Sequence, residues 1–147
     1  MRNSDKRLNI VKISRLIVAS HSEIIRVIAE KYNLSFKEAD MLLILSKNPN
    51  IINAKDIVGI SKVSKAYVSK SLNLLQEKNY INIEQDEKDK RKQKIMINKK
   101  ADNIIQELKE GEDKYLKKIT ANLDIKKLIS YYEELEKNII NMKEGEQ

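Results

Sequence analysis

The chain has no cysteine, one proline, three glycines and one histidine among its 147 residues. The missing cysteine excludes disulfides, thiol-based redox sensing and cysteine-ligated zinc. Few turn-formers, with 41% hydrophobic and 35% charged residues, point to a mainly helical protein. No run of about 18 apolar residues occurs, so no membrane-spanning helix is expected. The opening stretch MRNSDKRLNIVKISRLIVAS puts positive charge before an apolar run, as a secretory leader does. Lys12 and Arg15 interrupt that run, and its apolar residues keep helical spacing. An amphipathic helix in a cytoplasmic protein is therefore expected.

Enzymatic signatures are also missing. Hydrolytic triads need a base, and His21 has no nucleophile motif near it. No P-loop, GxGxxG or HExxH is present, so no catalytic residue, cofactor or enzyme activity is expected. A lone histidine without cysteine gives no basis for a transition-metal site, although Asp and Glu remain as possible donors.

What is present is basic charge, +7 overall and unevenly spread. Residues 1–33 carry seven basic and three acidic side chains, and residues 34–99 carry thirteen and eight. Residues 100–147 carry nine and eleven, so the excess lies in the first two thirds. Such an excess suits a polyanionic partner or an ordinary solvated surface; position has to decide.

Periodicity divides the chain. Ile10, Ile13, Ile17, Ile24 and Ile28, with Val11, Val18 and Ile25 in a second row, predict a helix from about Asp5 to Lys31. Its apolar stripe is wider than one neighbouring helix needs. Ser35 with Glu38 three residues on predicts a capping box and a short helix that ends at KNPN. Asn53 caps a third helix, AKDIVGI, with Ile57 and Ile60 expected inward. Ser64 caps a fourth, running to about Lys78, with Val68, Leu72 and Leu75 as its buried face. Tyr80, Ile81 and Ile83 then switch to strand spacing. The polar stretch EQDEKDKRKQ turns the chain, and Lys94–Ile97 returns as a second strand. Two short helices followed by a hairpin make a winged helix-turn-helix. Asn98 and Asp124 cap two further helices, through Ile119 and Met142.

The fourth helix carries the chemistry. Opposite its apolar positions stand Lys65, Ser69, Lys70 and Asn73, with Ser64 and Ala66 at its start. No acidic residue occurs from Ile57 to Gln76, while Lys62, Lys65 and Lys70 all do. Lysine reaches phosphates or guanine edges, asparagine can pair bidentately with adenine, and a helix N-terminus favours a phosphate. The competing interpretation is a plain solvated helix face, which the preceding helix and turn argue against. The hairpin adds Lys88, Asp89, Lys90, Arg91 and Lys92. Arginine on a hairpin tip suits a narrow minor groove. One neighbouring carboxylate (Asp86, Glu87 or Asp89) can hold the guanidinium by a two-toothed hydrogen bond. A mixed-charge surface turn is the alternative, favoured for the lysines.

The stretch DKRKQKIMINKKA resembles the wing signature of the MarR family of bacterial transcription regulators. That signature runs Asp-x-Arg, three residues, an apolar-x-apolar strand end, a capping Thr and a Gly three residues later. Upstream, NAKDIVGISKVSKAYVSKSLNLLQEKNYI resembles the family's helix-turn-helix, with its Val-Ser-basic core and its Leu, two residues, Lys-Gly-aliphatic exit. The likeness spans about residues 34–101. It departs at Asn79, Ile97, Asn98 and Ala101, where the family has Gly, Leu, Thr and Gly. Asparagine is the next-best residue for a left-handed turn, Asn98 still caps, and alanine costs nothing inside a helix.

The resemblance implies that Ser64 to Asn73 read the major groove and that Arg91, positioned by Asp89, enters the minor groove. It implies one domain over 1–147, with a DNA-binding lobe at 34–99 and a helical dimerisation region at 5–31 and 100–143. The stripes Ile10–Ile28 and Ile125–Met142 are then expected to bury each other across a two-fold axis, an intramolecular bundle being the alternative. Two recognition helices ~34 Å apart would meet successive major grooves of an inverted repeat. The expected partners are therefore double-stranded DNA and a second copy, with repression by occupancy. Family members often hold a small-molecule effector where lobe and dimerisation helices meet. Tyr32, Tyr115, His21 and Arg26 are the polar candidates there, each also compatible with ordinary packing. The rival function is a winged protein-interaction module; it calls for exposed aromatics, and Tyr67 is the only candidate on the fourth helix.

Overall fold

The computed structural model describes residues 3–49 and 53–145, with side chains at 3–5, 7 and 8 outside the description. The element order is α1 (Asn3–Lys31), α2 (Phe36–Lys47), α3 (Ala54–Ser61), α4 (Lys65–Glu77), β1 (Ile81–Gln85), β2 (Gln93–Ile97), a 3-10 turn (Lys99–Ala101), α5 (Asp102–Ile119) and α6 (Ile125–Gly145). This is the expected mainly helical winged helix-turn-helix. The chain divides into two compact units, Met1–Tyr115 and Leu116–Gln147.

Local chemistry sets the element boundaries. Ser35 accepts from the Glu38 N–H at 3.3 Å while the Glu38 carboxylate takes the Ser35 N–H at 2.7 Å, the expected capping box. Asn53 and Asp56 repeat the device at α3, so two otherwise orphaned N–H donors are satisfied at each start. Ser64 caps α4 by accepting from the Tyr67 N–H. Of the expected KNPN stop, Asn50 lies outside the described residues; α2 closes at Asn48. At the end of α4, Asn79 takes φ 64°. The Tyr80 N–H bonds the Leu75 carbonyl at 2.9 Å, and the Asn79 N–H bonds that of Gln76 at 3.0 Å. That left-handed turn aims the chain into β1. Asn79→Ala is expected to lower thermal stability by about 1 kcal/mol, because alanine keeps the Cβ but loses the short polar side chain that eases this conformation, while Asn79→Gly should not.

In the first unit, Met41, Leu42, Ile57, Val68, Leu75, Ile81 and Leu108 are fully buried, joining α2, α3, α4, the hairpin and α5 into one core. Leu75→Ala should cost about 2–5 kcal/mol in urea unfolding. The hairpin pairs Ile81 with Ile97 and Ile83 with Ile95, keeping all four isoleucines on one face against that core. A lone two-stranded sheet is marginal in water, so this face holds the wing.

Two burial expectations are corrected. Ile60 points outward, 54% exposed. At 100° per residue, Ala54, Val58 and Ser61 extend the inward arc of α3 to one side of Ile57, and Ile60 lies about 60° to the other. In α1, Ile25 and Ile28 are buried in the chain's own core rather than left for a partner. The unpaired apolar surface is the N-terminal part, where Ile10, Val11, Ile13, Leu16 and Val18 are each about half exposed. In the second unit, α6 buries none of its residues.

Candidate nucleic-acid interface

The six residues expected to read DNA from α4 share one face. Ser64, Lys65, Ala66, Ser69, Lys70 and Asn73 are all exposed. From Lys65 to Lys70 the helical positions span an arc of about 140°, opposite buried Val68, Ser71, Leu72 and Leu75. Burying one stripe on the core forces the other outward. Because residues 57–76 carry no acid, the outward arc from Lys65 to Asn73 presents ammonium, hydroxyl and amide groups, and the first carboxylate on it is Glu77 at the end of α4. The open N–H groups of the first turn add partial positive charge at the same end.

Asp89, Lys90, Arg91 and Lys92 are all exposed at the hairpin tip. Asp89 is engaged by the turn's own backbone. Its Oδ1 accepts the backbone N–H of Arg91 at 3.1 Å, and its carbonyl accepts the Lys92 N–H at 2.9 Å. Asp86 treats the Lys88 N–H in the same way at 3.0 Å. Short acidic side chains satisfy tight-turn backbone better than they orient a neighbouring guanidinium. Asp86 and Asp89 thus build the turn, and Arg91 extends from a backbone that Asp89 holds.

Several polar groups behind this surface are not evident from sequence. The Tyr67 hydroxyl donates to Asp40 Oδ2 on α2 at 2.8 Å, and the Lys37 ammonium stands 5.4 Å over its ring. Burial, reinforced by Asp40, holds the Tyr67 phenol well above its ordinary value. Tyr67 is therefore committed inward and is not a free aromatic. Buried Glu38 faces the Lys78 ammonium at 2.8 Å, an ionic contact at the end of α4. Burial pushes the Glu38 carboxyl up, and Lys78 with the Ser35 contacts outweighs it, leaving the group below its ordinary value. Its contribution to stability is present at neutral pH and is lost as pH falls through the carboxylate range. Lys100 closes this end by donating to the Lys78 carbonyl at 3.0 Å and lying over the Tyr80 ring.

The four polar groups considered for an effector are all engaged internally. His21 Nε2 meets Glu112 Oε2 at 2.6 Å, and Lys47 pairs with the other carboxylate oxygen. Tyr115 bonds Ser20 at 2.5 Å and the Ile17 carbonyl at 3.2 Å. Tyr32 and Lys31 share Glu107, and Arg26 lies over Phe36. Beside Ser20, an open groove of about 450 Å³ is lined by Glu23, Ile24, Val27 and Ile28. Burial lowers the His21 pKa below 6.5; Asp40 opposes this and Lys47 assists it. The folded state then binds a proton less readily than the unfolded chain, so stability should fall as pH drops through about 6.5. Urea midpoints at pH 7.5 and 5.5 should differ in that direction, and His21→Gln should shrink the difference.

Among the described residues no helix is long and apolar enough to cross a membrane. Nor does any group of three or more His, Cys, Asp or Glu side chains there fit a metal ion.

These features define a winged helix-turn-helix protein with long flanking helices. The model of the MarR family matches residues 32–92, the winged lobe, in line with the sequence resemblance. That family is one of transcription regulators. Among solved structures, the transcriptional regulator SlyA superposes with a TM-score of 0.81 at 19% identity, covering 94% of this chain and 99% of that one. A MarR protein from Peptoclostridium difficile gives 0.79 at 20% identity, covering 91% and 89%. A MarR-family transcriptional regulator from Listeria monocytogenes, solved with a 26mer DNA, gives 0.80 at 16% identity, covering 89% of each chain. At these identities the likeness is one of fold. No curated protein matches the sequence.

Proposed function

We propose that this protein is a sequence-specific duplex-DNA-binding transcriptional regulator, a repressor that acts in the cytoplasm as a homodimer on an inverted-repeat operator. The observation that carries the reading is the exposed, acid-free arc of α4, from Ser64 to Asn73, with Arg91 at an exposed wing tip. An α-helix fits the major groove, where Asn73 can pair with adenine and Lys65 and Lys70 reach guanine edges or phosphates. Arg91 and its lysine neighbours then follow the adjacent minor groove and backbone. The Listeria monocytogenes neighbour with its 26mer DNA supports the same use of the fold.

Dimerisation is supported by apolar surface that each unit leaves open. Ile125, Ile129, Tyr132, Leu135, Ile139 and Met142 are between 41% and 64% exposed, on a helix that buries nothing. Two copies covering these faces would present two recognition helices to a symmetric site. A small molecule seated near the α1 groove would release DNA by changing how the two lobes are held. The protein-interaction reading loses its one aromatic anchor, because Tyr67 is bound to Asp40.

The test is selection of bound sites from randomised duplex. Recovered sequences should be two-fold symmetric, with half-site centres about one helical turn apart. Recovery of unrelated sequences would remove the sequence-specific reading.

A further inference from the structure

Resting on that DNA-binding reading, we infer that Tyr67 and Asp40 form the positioning bond that sets the roll of the recognition helix. Helix α4 lies on the core through Val68, Leu72 and Leu75, all apolar and buried. Apolar contacts are non-directional, so they resist lifting of the helix far better than rotation about its axis. A few degrees of roll would redirect every side chain of the reading face. Tyr67 sits on the boundary between the buried stripe and the exposed arc, half-buried. Its hydroxyl is tied to Asp40 on α2 by a directed bond of 2.8 Å. Lys37, one turn earlier on α2, covers the same ring, so α2 grips both the face and the tip of this side chain.

The far side of the bond is itself anchored. Helix α2 is started by the Ser35–Glu38 box, and its other end carries Lys47, paired with Glu112 of α5. The Asp40 charge also reaches His21 and Lys47. The roll of α4 is thereby referred to a strut that is fixed at both ends. Tyr67 and Asp40 touch no DNA in this reading. They act through Ser64, Lys65, Ala66, Ser69, Lys70 and Asn73.

Five forms of the full chain test this: wild type, Tyr67→Phe, Asp40→Ala, the double variant Tyr67→Phe/Asp40→Ala and Asp40→Asn, each checked for folding by thermal melting. Affinity is measured by anisotropy for a duplex recovered by selection and for a scrambled one. Tyr67→Phe and Asp40→Ala should each weaken the selected duplex about tenfold, the scale of one charge-assisted hydrogen bond, with the scrambled duplex nearly unchanged. The double variant Tyr67→Phe/Asp40→Ala should be no worse than either single one, and Asp40→Asn, which keeps an acceptor, should recover most of the loss. In the free protein, amide exchange in the first two turns of α4 should quicken in Tyr67→Phe. A bond that only stabilises the fold would lower melting temperature without narrowing the ratio between the two duplexes. A folded Tyr67→Phe with unaltered selectivity, or losses that simply add in the double variant, would overturn the inference while leaving DNA binding intact. A wild type that prefers no duplex would overturn the DNA reading and this inference with it.

Discussion

Raising salt from 50 to 200 mM should weaken binding to a specific duplex by ~10³–10⁵, the loss expected when a dimer displaces counterions from ~6–10 phosphates. In the proposed reading the groups that would do this are Lys65, Lys70, Lys88, Lys90, Arg91 and Lys92, all exposed and none in a salt bridge among the described residues. Replacing a phosphate-binding lysine should lower the slope of log affinity against log salt by roughly one per subunit, hence roughly two per dimer. Asn73→Ala should behave differently. It removes a neutral base contact, so it should cost about 1–3 kcal/mol at one base position and leave the slope unchanged. Affinity measured at four salt concentrations separates the two kinds of residue. A flat salt dependence for the wild type would mean that the basic arc is not meeting a polyanion.

A charge placed on the apolar face of α6 should abolish the dimer. Ile139, 52% exposed within one chain, lies at the centre of a face formed by Leu128, Ile129, Tyr132, Leu135 and Met142. Burying one such side chain against a partner contributes about 1.5–3 kcal/mol. Ile139→Asp forfeits that and adds the penalty of an unpaired carboxylate, several kcal/mol per ion. Sedimentation should report a monomer where the wild type gives a dimer. DNA affinity should fall by ~10²–10⁴, because the two half-sites no longer bind as one linked event. A variant that stays dimeric would place the interface elsewhere, with the N-terminal half of α1 as the next surface to examine.

The features legible in the sequence are those encoded within a few residues. Ser35, Asn53, Ser64, Asn98 and Asp124 each cap where their spacing indicated, since a cap needs only its own first turn. The wing was readable because strand alternation gave way to a charged tip, and Asn79 took the left-handed turn expected of it. The exposure of the reading face followed from the burial of Val68, Leu72 and Leu75. What stayed hidden depends on residues far apart in the chain. Tyr67 and Asp40 are 27 positions apart, and His21 and Glu112 are 91 apart, so no local pattern announces either contact. Ile60 misled because an eight-residue helix gives too few positions to define its inward direction. Ile25 and Ile28 misled for the opposite reason: one long stripe on α1 serves the chain's own core at one end and leaves the rest open. The pairing of Asp89 with Arg91 rests on the family resemblance; that the Asp89 carboxylate accepts the Arg91 backbone N–H is a detail of the turn that no sequence pattern announces.

The most direct test of sequence-specific DNA binding is anisotropy with a labelled duplex from upstream of the protein's own gene, beside a scrambled duplex of the same composition, with Arg91→Ala in parallel. The predicted result is a preference of ~10³ or more for the native duplex and weaker binding by Arg91→Ala. Equal affinity for the two duplexes, or none for either at 50 mM salt, would contradict it.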